Sequence, residues 1–202
     1  MSNLILDILD KTKLQRLRLS SIDCVEIDEQ FDEVLKDQRV MPHLHLSIQS
    51  GDDMILKRMK RRHNSKDVFE FVEHCKKIRE DVSFGADIIA GFPTETDEMF
   101  DNTYRLLKEN EISHLHIFPF SPKNNTPASR MPQVSKLIIK KRAKNLRELG
   151  ELILKKVKSK LSLPREVLIE ELNLGLAVGY DQNYIKHKVP LVGVPVGEIL
   201  RI

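Results

Sequence analysis

The stretch HLHLSIQSG, residues 43–51, decides the fold of this chain. It alternates polar and apolar side chains and then breaks into a small polar cluster ending in glycine. Period two marks a strand, with Leu44, Leu46 and Ile48 on one face and His43, His45, Ser47 and Gln49 on the other. Three more segments read as strands: Leu14 to Ser20, Phe84 to Ala90 and Ser113 to Phe118. Between the strands lie helical periodicities over residues 29–35, 53–59, 68–78 and 98–107. Strand, helix and strand in turn require crossover connections, hence a parallel sheet with helices outside it. Asp52 or Asp53 is suited to cap one helix, and Thr96, followed by Asp97 and Glu98, another.

The polar alternation recurs: Arg16, Arg18 and Ser20 in the first strand, His114 and His116 in the last. A parallel strand covered on both faces should be almost wholly apolar. Either this sheet has one wet face, or it curves around a polar ligand as a full or partial α/β barrel does. The strand ends favour the barrel. Barrel ligands sit at the carboxyl ends of strands, where the sequence places Ser20-Ser21, Gln49-Ser50-Gly51, the loop Gly91 to Thr96 and the run Phe118 to Pro122. Small and polar residues let backbone amides approach a ligand there. Gly91 permits the closest approach, and Glu95 could accept from a ribose hydroxyl or an ammonium.

With 202 residues, 41% hydrophobic and 31% charged, the chain has the composition of a soluble globular protein with one substantial core, or a core and a small module. No apolar run approaches bilayer length, and the start MSNLILDILDKTKLQ carries no basic-then-apolar leader, so a cytoplasmic location and no membrane partner are expected. Cys24 and Cys75 are too far apart in sequence for a metal-ligand pair and read as reduced core thiols; no metal site is expected within the chain. Net charge is only +3, yet Lys57 to Lys66 carries six cations and no acid, and Lys136 to Lys160 ten cations against Glu148 and Glu151. A solvated helix face explains either run alone; two together point to a polyanion, nucleic acid being the commonest. Lys57, Arg58, Arg61 and Arg62 are the candidate contacts in the first run.

The tail reads as four short strands, Arg165 to Glu171, Gly175 to Tyr180, Asn183 to Val189 and Gly197 to Ile202, a small β-barrel. Tyr180, Tyr184, Lys186 and Lys188 suit base stacking and phosphate contact, unless the tyrosines pack in its small core. The expected organisation is an α/β region over 1–134, a basic helical connection over 135–160 and the β-module over 161–202.

Three runs, MPHLHLSIQSGDDMILKRMKRRH (Met41 to His63), DIIAGFPTET (Asp87 to Thr96) and HIFPFSPKNNTPA (His116 to Ala128), resemble successive blocks of the radical S-adenosylmethionine (SAM) tRNA methylthiotransferases. The wording MPHLHLS and LKRMKRRH is similar to the branch acting on N6-threonylcarbamoyladenosine at tRNA position 37. The resemblance implies an α/β fold: an incomplete radical-SAM-type (β/α) partial barrel with four parallel strands, then an all-β TRAM-like module that grips tRNA. It implies S-adenosyl-L-methionine as cofactor and a 4Fe-4S cluster that reduces it, the cofactors carrying the hard chemistry. Ser47, Gln49 and Ser50 would then face the adenosylmethionine, Gly91 and Glu95 border its adenosyl portion, and Phe118 lie near the adenine. Arg18, His45 and His116 would line the barrel or hold one another.

Such enzymes need a C-x-x-x-C-x-x-C loop for the cluster, and this sequence has none. Against the family pattern, the preceding domain and the first two barrel strands are also missing. The expectation is therefore a carboxyl-terminal portion, inactive alone, with tRNA and a separate cluster-bearing polypeptide as partners. A non-catalytic tRNA-binding protein or a gene remnant is the alternative.

Overall fold

The computed structural model describes residues 1–161, 164–190 and 193–202. Strands β1 (Leu17–Ile22), β2 (Val40–Gln49), β3 (Ser83–Ala90) and β4 (Ile112–Pro119) form one parallel sheet in the order β1-β2-β3-β4. The connections carry α2 (Phe31–Lys36), α3 (Asp53–Arg58), α4 (Ser65–Ile78) and α5 (Asp97–Glu109). These helices cover the face carrying Leu44, Leu46, Ile48, Phe84, Ala86 and Ile88, all buried. Local sequence fixes the helix starts. The Asp52 carboxylate accepts from the Ile55 amide at 3.0 Å, Asn64 and Asp67 form a capping box, and the Thr96 hydroxyl accepts from Met99.

Three segments differ from the sequence reading. Helix α1 (Ser2–Lys11) precedes β1 and buries Ile5 and Leu9, a spacing of one helical turn that the reading passed over. Strand β1 begins at Leu17 rather than Leu14, because the Leu17 amide makes the first ladder bond, to the Arg39 carbonyl at 2.6 Å. Helix α6 (Lys136–Lys160) packs its apolar stripe, Ala143, Leu146, Leu149, Ile153 and Val157, against β4 and the main core. The expected basic connection is thus a structural layer of the α/β unit. Gly150 lets it approach, since an added Cβ would lie 3.3 Å from Leu115.

The tail forms an antiparallel sheet of β5 (Glu166–Asn173), β6 (Leu176–Tyr180), β7 (Lys186–Pro190) and β8 (Ile199–Arg201), ordered β7-β6-β5-β8, with a small core of Val167, Ile169 and Ala177. Residues 183–185, expected in a strand, form a turn instead, with Tyr184 at φ +61°. The buried Asp181 carboxylate builds it, accepting from the Asn183 and Ile185 amides at 2.9 and 3.0 Å and from Arg165 Nε at 3.0 Å. This turn plugs the amino end of the parallel sheet: Asn183 Nδ2 donates to the carbonyls of Pro42 at 3.0 Å and Asp81 at 2.6 Å. Among the described residues, no helix is long and apolar enough to cross a membrane.

Candidate functional site on the concave face

The polar side chains of alternate strand positions collect, in layers, on the face of the sheet that the helices leave uncovered. Lowest are Arg18, His43 and His114, roofed by Tyr184 from the tail. The Arg18 guanidinium carbon lies 3.2 Å from the Tyr184 ring centroid, and Tyr180 stacks on the same ring at 4.5 Å. His43 is fully buried, 4.6 Å from the His114 ring, with Nδ1 3.0 Å from Ser83 Oγ. Burial, seconded by the charges around it, holds His43 well below its usual pKa, and burial takes His114 down to about 4. Both rings are neutral at pH 7.

The middle layer is a second network. Asp87 Oδ1 lies 3.0 Å from His45 Nε2 and 3.2 Å from His116 Nδ1, and the two rings are 4.5 Å apart. Burial lowers the His45 pKa against the opposing pull of Asp87. Gly85 makes room for this arrangement: a Cβ there would stand 2.6 Å from His45 Nδ1. The three ligand atoms also have a spacing compatible with a divalent cation. Asp87 escaped the sequence reading, although a lone acid inside the apolar strand FGADIIA was the available signal.

At the carboxyl ends the expected site residues divide. Ser47 and Gln49 are half-buried at the top of β2, with Gln49 at φ +67°, and Phe118 is 52% exposed on the edge strand β4. These stand open to a ligand. Ser50 is turned into the helix layer, its hydroxyl 3.3 Å from that of Thr103, and an added Cβ at Gly51 would meet Thr103 Cα at 2.7 Å. The Gly91 amide donates to Glu95 Oε2 at 3.0 Å, and Ile139 occupies the space beside Gly91. Glu95 is buried against Arg142 of α6 at 2.7 Å; desolvation raises its pKa against that pull. Ser50, Gly91 and Glu95 therefore hold the loops that frame the site.

The first basic run divides similarly. Arg61 donates to Asp23 at 3.1 Å and to the Ser47 carbonyl at 2.9 Å, and Arg58 to Thr94 Oγ1 at 2.7 Å. Arg62 pairs with Glu26, whereas Lys57 projects to solvent. In the tail, Lys186 and Lys188 are exposed, and Tyr180 and Tyr184 are half-buried. A guanidinium and a ring this close to Tyr184 cannot share one face of it, so both faces of Tyr184 are covered by the protein itself.

The family model of the radical SAM superfamily matches residues 5–107, just over half of the chain. The chain belongs to the radical SAM superfamily. It is 49% identical over 195 residues to a threonylcarbamoyladenosine tRNA methylthiotransferase, MtaB, of Rickettsia prowazekii, covering 94% of this chain and 44% of that protein. The protein of the same description from Thermotoga maritima is 40% identical, over 91% of this chain and 43% of its own length. The chain thus spans less than half the length of these relatives, as a partial member of their family would. Among solved structures, coproporphyrinogen III oxidase from Escherichia coli, described as a radical SAM enzyme, shares the fold with TM-score 0.56 at 19% identity, over 78% of this chain and 36% of that one.

Radical SAM chemistry draws its electron from an iron–sulfur cluster held by three cysteine thiolates. The chain's two cysteines do not fit that role. Cys24 follows β1, Cys75 lies in α4, and burial pushes both thiols up to about 12, the condition of inert core thiols. These 202 residues cannot ligate the cluster by themselves.

Proposed function

We propose that this chain is the substrate-side, carboxyl-terminal part of a tRNA methylthiotransferase that adds a methylthio group to C2 of N6-threonylcarbamoyladenosine. The observation that carries the reading is the concave face, where neutral His43, His45 and His114, with Asp87 and Arg18, lie in layers below the accessible Ser47, Gln49 and Phe118 of a radical SAM sheet, coupled to relatives of that description over nearly the whole chain. Ser47, Gln49 and Phe118 are the residues left free to meet S-adenosylmethionine, which supplies the adenosyl radical when a cluster reduces it. The chain's own contribution is to hold the adenine against the concave face and to grip tRNA through Lys57, Lys186, Lys188 and the outer face of α6. In this reading the chain is inactive alone and works in the cytoplasm with a polypeptide segment bearing the cluster loop, which would pair with the open edge of β1.

The test is complementation. The chain is co-expressed with a C-x-x-x-C-x-x-C-bearing amino-terminal segment of a methylthiotransferase in cells lacking the activity, and tRNA nucleosides are analysed by mass spectrometry. Appearance of the 2-methylthio derivative of threonylcarbamoyladenosine, and its absence with either piece alone, is expected. Unmodified nucleoside in the presence of both folded pieces would overturn the reading in favour of a non-catalytic tRNA-binding protein.

A further inference from the structure

Seven arginines are buried or half-buried: Arg16, Arg18, Arg39, Arg61, Arg79, Arg142 and Arg165. Six have an acid within ion-pair distance, respectively Glu166, Asp37, Asp23, Asp81, Glu95 and Asp181 for all but Arg18. Arg18 has no acid and no hydrogen-bond acceptor among the described residues. Its guanidinium rests on the Tyr184 ring, and its Nε, like those of Arg61 and Arg142, is buried without a partner. The same layer holds a second orphan. Ser83 Oγ lies 3.0 Å from His43 Nδ1 and 3.1 Å from the Pro42 carbonyl, and in either tautomer His43 Nε2 is buried without a partner. A guanidinium without an acid and a neutral polar group left unmet, side by side in a chain that pairs each of the other six arginines with an acid, are the mark of a place where an external group completes the bonding.

We propose that Arg18 binds a carboxylate on the substrate, so that the concave face accepts the threonyl side chain of a threonylcarbamoyl-modified adenosine and discriminates against a neutral N6-alkyl group. This rests on the reaction proposed above and names its specificity element. A planar guanidinium fork matches a carboxylate bidentately, and the stack on Tyr184 presets its orientation. The surroundings favour a monoanion that also brings donors of its own. Asp87 shares the face and repels a doubly charged phosphate, yet offers an acceptor for a ureido N–H, while the neutral His43, His45 and His114 add no competing positive charge. The threonylcarbamoyl group carries a carboxylate, N–H donors and a hydroxyl.

The purified chain is titrated with three ligands, N6-threonylcarbamoyladenosine, its threonyl methyl ester and S-adenosylmethionine, and followed by calorimetry and by the histidine ring signals in NMR. The free acid is expected to bind at least about tenfold more tightly than the ester. Filling the site is also expected to raise the His114 pKa from about 4, since the carboxylate neutralises a charge that holds it down. Arg18→Gln should bring the acid to the level of the ester and leave the ester unchanged, with Arg18→Lys between. The acid–ester comparison on the unaltered chain stands even where Arg18→Gln fails to fold. Equal binding of acid and ester, no saturable binding of the acid, or an advantage that survives Arg18→Gln overturns the assignment. Displacement of the acid by S-adenosylmethionine with the same Arg18 dependence would give the carboxylate to the cofactor and overturns it too. A chain that methylthiolates on complementation but binds acid and ester alike loses only this inference, not the reaction.

Discussion

The two ends of the parallel sheet are built from the same alternating strands and use their polar side chains differently. At the amino end, the Asn183–Tyr184 turn of the tail covers His43, His114 and the carbonyls of Pro42 and Asp81, and the polar groups meet protein partners or lie buried. At the carboxyl end, Ser47, Gln49 and Phe118 stay accessible, while the framing residues Ser50, Gly91 and Glu95 bond to helices behind them. Alternation alone therefore does not mark a ligand site. What decides is whether another part of the same chain folds back onto that row.

Removing Arg142 is the sharpest way to break this division. Its guanidinium bonds Glu95 at 2.7 Å in a place where both side chains are almost wholly buried. Arg142→Met should cost about 3–5 kcal/mol in denaturant unfolding by stranding the Glu95 carboxylate, and Glu95→Gln in the same chain should restore part of it. An unchanged midpoint with lost S-adenosylmethionine binding would return Glu95 to the ligand side.

Next in size is a pH effect confined to the amino end. The folded-state pKa of His114 lies at about 4 against an ordinary 6.5, so the unfolded chain binds the extra proton first. Its contribution is complete above about 6.5, falls as pH drops from there, and is gone below about 4, a loss of up to about 3 kcal/mol at roughly 1.36 kcal/mol per pH unit. His43 is shifted in the same direction and adds to the slope. Urea unfolding at pH 7 and pH 4.5 measures it, and His114→Gln should flatten the dependence. An unflattened slope would mean that burial beneath the tail does not hold the His114 pKa down.

Asn183→Ala comes third, with an expected loss of about 1–2 kcal/mol, since the Asp81 carbonyl loses its donor while the Pro42 carbonyl keeps the Ser83 hydroxyl. A change below about 0.5 kcal/mol would show that the tail merely lies against the sheet.

How much of this was legible in the sequence follows from range. The strands, the helix caps at Asp52 and Thr96 and the parallel order rest on local periodicity and turn chemistry, and appear nearly where expected. The occupancy of the polar face rests on contacts between residues far apart in the chain. Nothing near His43 announces that Asn183 and Tyr184 will cover it, nor near Glu95 that Arg142 will claim its carboxylate. Expectation therefore placed Ser50 and Glu95 beside a ligand and spread the cationic contacts over residues such as Arg61 that are bound within the protein.

The smallest effect tests whether the tail itself has two roles. Its inner side carries Tyr184, fixed by Arg18 and Tyr180; its outer side carries Lys186 and Lys188, exposed, with Lys186 5.9 Å from the Tyr180 ring centroid. Charge reversal at both lysines removes solvated groups, so stability should change by no more than about 0.5 kcal/mol. If both cations neutralise phosphates, the slope of log affinity for tRNA against log salt should become shallower by about 2. Tyr184→Leu should behave the opposite way, lowering stability through the lost stack with Arg18 and leaving the salt slope alone. A shallower salt slope in Tyr184→Leu, or none in the double lysine variant, would move the RNA contact to the inner side and overturn the division of the tail into two roles.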